Sequence, residues 1–438
     1  RYFYEEKKRR KDMKRILAIL LCLALALSMF TACGSKEEAK SDGPVTIRLA
    51  TFQVGVNSAA PWFTGIVDEF NKQYDGKIKL DIEEIPGDQA YVDKMKTYIS
   101  MNDLPDLFFT GGYNIMDDAL AAKGLVDLTP YFEADPEFAG RFFEDDIAYN
   151  SRDGKIYAMP VERQPVTYFY NKALFAKAGI AAPAKTWDEF MAQLDQLKKA
   201  GITPVSMDTL DSAWLSSLWL NSMVGTLSTE SNAWMNQSMP KDYNSTDFIK
   251  AADMVQKMLL NYTTKDALGG KYENGANNFL NGNTAIIANG PWMISDFQAK
   301  GDEFFKNVGT ALYPNDGIFS GSMPGWMVGS KDKAHADAAV EFLKFISSED
   351  NQAKMSEIYS GIPANKNVQI PQTVLDENPL LGEIIKLQGE AKIVYGNYQS
   401  LWYSNVVTEL DRQYPLLAAG DLTPEQFAKA LTDAAAKN

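Results

Sequence analysis

From residue 45 to residue 52 the chain alternates apolar and polar positions, the two-residue period of a half-buried strand. A loop of small residues, 53–60, follows. Over 61–74 the apolar positions Phe63, Ile66, Val67 and Phe70 form one helical stripe, and Pro61 stands at the helix start, where its missing N–H costs nothing. Alternation returns at Ile78, Leu80 and Ile82 within 77–85; 89–102 reads as a helix and 106–109 as a short buried strand. This β-α-β-α-β rhythm predicts a layered α/β domain.

Further on, 120–132 predicts a helix ending at Gly124 and then a proline-stopped loop, while 154–161 and 166–170 predict strands. Thr186 with Glu189 is a capping box opening a helix to Ala200, with Gly201 beyond it; Thr423 with Gln426 is a second, with Pro424 in the favoured first position. Residues 214–224, 247–260 and 336–347 predict more helices. In 279–297 a helix end runs into Gly282, Thr284 to Ala288 reads as a buried strand, and Asn289-Gly290-Pro291 turns the chain. That turn leaves Trp292 at the strand's exit, and ligands of open α/β sheets sit beyond the carboxyl ends of strands. Trp292 is therefore either a cap on the core or a stacking surface for a flat apolar face.

The N-terminal region follows another logic. Met13-Lys14-Arg15 is a charged start, and residues 16–30 are apolar but too short for a comfortable membrane span. Thr31 and Ala32 then precede Cys33, which resembles the lipobox of bacterial lipoprotein precursors. The expectation is a signal peptide over 13–32, cleavage before Cys33, a lipid on the Cys33 thiol that anchors the chain to a bilayer, and a polar tether over 33–43. Residues 1–12, with the run EEKKRRKD, do not suit a signal peptide and are expected to be a non-native upstream extension.

The chain of 438 residues carries a formal charge of −14. Residues 1–33 hold eight bases and three acids, which leaves 35 bases against 54 acids, a formal −19, in the remainder. Such a surface repels phosphate backbones and anionic lipid, so no nucleic-acid partner is expected. It suits a neutral or cationic ligand. The two cysteines, Cys22 and Cys33, both precede the folded part, which excludes a disulfide, a cysteine nucleophile and a cysteine metal site beyond them. The single histidine, His335, reads as a surface residue and cannot build a zinc site. No phosphate loop, HExxH or GxSxG occurs, and neither a cofactor nor a metal is expected. With 57 acids, a carboxylate pair about 5–9 Å apart stays open, so a surface glycoside hydrolase is the rival reading from another class.

Four stretches carry a resemblance: LPDLFF…LAAKGLVDLTPYF (104–132), DGKIYAMPVERQPVTYFYNKALFAKAGI…TWDEF (153–190), FLNGNTAIIANGPW (279–292) and AAVEFLKFISSEDNQAKMSEIYSGIPANKNV (338–368). In this order behind a lipobox they resemble the extracellular sugar-binding proteins of bacterial ABC importers, a maltose-binding-protein-like family. The resemblance implies an α/β, two-lobed, periplasmic-binding-protein-like (type II) fold, with hinge strands and a ligand cleft between the lobes. The chain would cross between lobes near 159–162, 309–314 and 361–367, giving one lobe of 44–160 plus 312–362 and another of 163–310 plus 365–438. It also implies a monomeric, non-enzymatic receptor that binds a carbohydrate, closes, and delivers it to the transmembrane subunits of a permease.

Site residues follow from the same resemblance. Trp292 matches a tryptophan that stacks on sugar, and Trp402 a second one on a late helix. Glu162 stands where relatives place a carboxylate for sugar hydroxyls, although two extra residues precede TYFYN. Trp214 falls in an aromatic cluster, with Asp211 before it as a hydroxyl acceptor, and Trp326 in MPGWMV lies at the cleft. Gln53 and Asn57 in the first loop, and Tyr113, are expected at the polar rim. These early loops lack the charged contacts of maltose-binding protein. A sugar suits such a set, because its C–H faces need aromatic platforms and its hydroxyls need carboxylates and amides. Trp62, Trp187 and Trp219 read as structural.

Overall fold

The computed structural model describes residues 43–109, 115–319, 321–330 and 332–438, apart from the side chain of Asp88. The expected signal peptide over 13–32, Cys33 and Tyr113 lie outside the described residues.

Ile47 and Leu49, the inward positions of the first alternating segment, are fully buried in the strand Val45–Thr51. That strand pairs in parallel with Ile78–Glu84, Val45 opposite Ile78, and with Leu107–Phe109. The helix Ala60–Gln73 covers them with Trp62, Phe63, Ile66, Val67 and Phe70, the residues of its apolar stripe. Trp326–Val328 and Ala158–Met159 complete a five-stranded sheet by antiparallel pairing. The carboxyl ends of its three parallel strands share one edge, from which residue 53 and its loop depart.

A second sheet has the strand order Val308–Ala311, Thr167–Asn171, Thr284–Asn289, Thr203–Val205. All six residues of Thr284–Asn289 are buried, as an interior strand of a covered sheet requires. Each sheet has its own hydrophobic core. Phe63, Phe70, Trp326 and Phe342 belong to the first, Phe190, Trp219, Phe248 and Phe427 to the second. Both capping boxes form: Thr186 closes the start of Trp187–Lys199, and Thr423 that of Pro424–Ala435, each a contribution of about 1 kcal/mol.

The structure departs from the sequence reading in three places. The strand expected over 154–161 is a hairpin, Ser151–Arg152 against Lys155–Ile156, followed by the short strand Ala158–Met159. Asp153 and Gly154 both take positive φ at its turn, the Asp-Gly hairpin signal. The helix of 120–132 lies earlier, at Ile115–Ala121, and the proline-stopped loop instead starts a new helix, Thr129–Ala134, with Pro130 in its first turn. The second crossing lies between Phe319 and Trp326 rather than at 309–314. Tyr313 and Phe319 pack in the second core and Trp326 in the first, and Gly317–Phe319 pairs with Ile393–Tyr395 of the second lobe. The first crossing runs from Val161 in the first core to Val166 in the second. The third runs through Ile362–Pro363, which pairs with Glu162–Arg163.

Candidate ligand-binding cleft

Two parallel strands of the second sheet set the site. Thr284 lies opposite Thr203 and Ile286 opposite Val205, so the segments leaving Val205 and Asn289 emerge side by side at the carboxyl edge. The first carries Asp208, Asp211 and Trp214; the second carries Trp292.

Trp292 sits half-buried in the single turn Pro291–Met293. Its ring folds back over Gly290, where a Cβ would stand 2.1 Å from the ring. Only glycine permits this approach. The hydroxyl of Tyr272 accepts the Asn289 side-chain N–H at 3.0 Å and also faces the Trp292 indole, which fixes the ring. Burial pushes the Tyr272 hydroxyl up to about 12, so it stays protonated.

Trp214 is also half-buried, with its ring centre 6.1 Å from that of Trp292. Tyr398 stacks 6.3 Å from Trp214 at 28°, and Phe319 meets its edge at 6.2 Å. Trp214 opens the helix Trp214–Leu227 after three consecutive left-handed residues, Asp211 (φ 57°), Ser212 (φ 71°) and Ala213 (φ 42°). Three such non-glycine residues in a row are strained, and the surrounding structure must hold them. Part of the restraint comes from Asp208, whose carboxylate accepts the Ser216 N–H at 3.2 Å while its own carbonyl accepts the Ser216 hydroxyl at 2.5 Å. Asp208 thus caps the helix from outside it.

The acids around this platform are perturbed. Burial raises Asp208 to about 8, against the backbone N–H groups of Ser216 and Leu215, and Asp411 adds to the rise. Burial and the neighbouring Asp211 raise Asp411 to about 7, while Lys96 of the first lobe opposes the shift. Asp211 itself is exposed. The lobes meet close by: Ser404 faces Asp118, and Ser400 faces the buried Tyr149 hydroxyl. Paired aromatic faces and carboxyl groups at one sheet edge can hold a ligand with apolar faces and hydroxyl-rich edges.

Other expected residues lie elsewhere. Trp402 is fully buried, ringed by Trp234, Tyr243, Phe248 and Tyr398 in the second core. Trp214, not Trp402, is the ring beside Trp292. Trp326 is likewise fully buried, stacked between Phe63 (5.4 Å) and Phe109 (5.3 Å) in the first core, because its position on a central strand points it inward. Glu162 is buried at the first crossing with both carboxylate oxygens engaged, by Tyr359 and by Gln164. It is a hinge residue rather than an open acceptor for hydroxyls. Asn57 spends its side-chain Oδ1 on the Ala59 N–H at 3.0 Å, as a turn residue does. Gln53 is buried just past the carboxyl edge of the first sheet, and its Oε1 meets no hydrogen-bond donor among the described residues. Trp62 and Trp187 are structural, as expected: their indoles donate to Asn351 O (3.0 Å) and to the Thr226 hydroxyl (2.8 Å).

Sequence reasoning missed Asp208, Tyr272, Asn289, Tyr398 and Asp411. Asn289 carried a usable signal, since it directly follows the strand predicted over 284–288. Tyr272, Tyr398 and Asp411 reach the platform through tertiary packing alone.

Comparison with known proteins bears on this arrangement. Residues 65–381, well over half the chain, match the sequence profile of the family described as bacterial extracellular solute-binding protein. An arabinooligosaccharide-binding protein of Bacillus subtilis (strain 168) is 24% identical over 386 residues, 84% of each chain. Among solved structures, a chitin oligosaccharide binding protein superposes with a TM-score of 0.80 at 24% identity, covering 90% of this chain and 98% of its own. A Streptococcus pneumoniae solute-binding protein in complex with the blood group A-trisaccharide superposes at 0.77 with 23% identity, covering 89% and 98%. These likenesses share the two-lobed α/β fold. By the match over residues 65–381, this chain belongs to the bacterial extracellular solute-binding protein family.

Proposed function

We propose that the protein is the carbohydrate receptor of an ABC importer, binding an oligosaccharide between its lobes and presenting the closed form to the transmembrane subunits of the permease. The observation that carries this reading is the platform of Trp214, Trp292 and Tyr398 with Asp208, Asp211 and Asp411 beside it. More than one ring favours more than one sugar unit. The oligosaccharide-binding relatives support the same class of ligand. Gln53, whose Oε1 meets no hydrogen-bond donor among the described residues, supplies a polar contact from the first lobe. The receptor makes and breaks no covalent bond. It acts as a monomer, tethered outside the cell by the lipid on Cys33.

A thermal-shift screen against mono- and oligosaccharides tests this. At a ligand concentration a hundred times Kd, binding to the folded form alone adds about 2.7 kcal/mol of apparent stability. At least one oligosaccharide is expected to raise the melting temperature and to be recovered intact. Release of shorter sugars would make the protein a glycoside hydrolase. A shift with a peptide, a polyamine or ferric ion and with no sugar would move it to another solute.

A further inference from the structure

The three crossings are joined by one polar network. In the first crossing, Glu162 accepts from the hydroxyl of Tyr359 and from the side chain of Gln164. Tyr359 ends the helix Glu349–Tyr359, directly before the third crossing, and its ring lies 5.8 Å from that of Trp62 in the first lobe. The Gln164 N–H donates to Gly321 O of the second crossing at 3.0 Å. Arg163 pairs with Asp145 at 3.0 Å and Asp146 at 3.5 Å, and its guanidinium lies 4.6 Å over Phe143. The Ser322 hydroxyl of the second crossing donates to Asp146 at 2.6 Å. The Ala364 N–H of the third donates to Val161 O at 3.1 Å.

From this geometry we infer that Glu162 and Tyr359 form a hinge clasp, positioning residues that hold the three crossing strands in one setting and so fix the balance between apposed and separated lobes. Any separation that bends the strand Glu162–Arg163 away from Ile362–Pro363 must pull the Glu162 carboxyl from Tyr359. The two donors favour the Glu162 carboxylate and burial favours its protonated form, burial being the larger effect. Tyr359 is the titratable group facing Glu162, and Gln164 the polar one. Arg163 is turned away to Asp145 and Asp146.

Burial pushes Glu162 up to about 7, against the hydrogen bonds from Tyr359 and Gln164. An acid raised in one state favours that state at low pH and loses the advantage as pH rises through the raised value. The described arrangement is therefore favoured at low pH, and that preference fades as pH rises through about 7.

The test uses ligand-free full-length protein, so it does not depend on which solute binds. Small-angle X-ray scattering gives the radius of gyration from pH 5 to pH 8, and amide exchange, corrected for intrinsic pH dependence, reads the strand Glu162–Arg163. Wild-type protein is expected to expand and exchange faster above pH 7. Glu162→Gln, which keeps an acceptor and cannot ionise, is expected to flatten both profiles. Tyr359→Phe is expected to raise exchange in the crossings throughout the pH range while its melting stays cooperative. Identical pH profiles for wild type and Glu162→Gln would overturn the clasp, and so would unchanged crossing exchange in folded Tyr359→Phe.

Discussion

Replacing Trp326 with alanine lowers the stability of the protein by about 3–5 kcal/mol, the range for truncating a large buried aromatic. The ring is fully buried between Phe63 and Phe109 and meets the edge of Phe342. Nothing collapses easily into that space, because both stacking partners are fixed on the sheet and its covering helix. Chemical denaturation measures the loss directly. Ligand affinity of the folded fraction stays unchanged, since Trp326 is a core residue of the first lobe. A Trp326→Ala protein with normal stability and poor binding would return Trp326 to the cleft.

Trp292→Ala has the opposite signature. Removing this half-buried ring weakens oligosaccharide binding by roughly 1–3 kcal/mol, about fivefold to 150-fold, if the ring stacks on a sugar face. Its effect on stability is smaller than that of Trp326→Ala, because part of the ring surface already faces solvent. Trp402→Ala, by contrast, belongs with Trp326, for its ring lies among Trp234, Tyr243 and Phe248. Titration calorimetry on each variant, together with its unfolding curve, separates the two classes.

The contrast between these tryptophans shows what a single sequence can reveal. The strand Thr284–Asn289 and its turn were legible because an apolar run, a glycine and a proline follow one another in a few residues. Trp292 inherits its place from that local pattern. Trp326 also stands in a local apolar run, but its strand lies within the sheet, and the facing residues Phe63 and Phe109 come from distant parts of the chain. Glu162 was legible as a residue beside a crossing. Its engagement was not, because Tyr359 approaches from 197 residues away. The second crossing was misplaced for the same reason: Gly317–Phe319 is held in the second lobe by Ile393–Tyr395, a partner that no local pattern announces. Alternation, caps and turns thus located several of the longer elements, whereas side-chain partners across the fold decided which aromatic rings reach the cleft.

The most direct test of the central claim is a calorimetric titration of the tightest-binding oligosaccharide into wild-type protein and into the Trp214→Ala, Trp292→Ala double variant. The predicted result is one saturable site in the wild type, with a negative heat-capacity change from buried apolar surface and intact sugar recovered afterwards. In the folded double variant that binding is lost or weakened beyond either single substitution. Undiminished binding in the double variant would contradict the account.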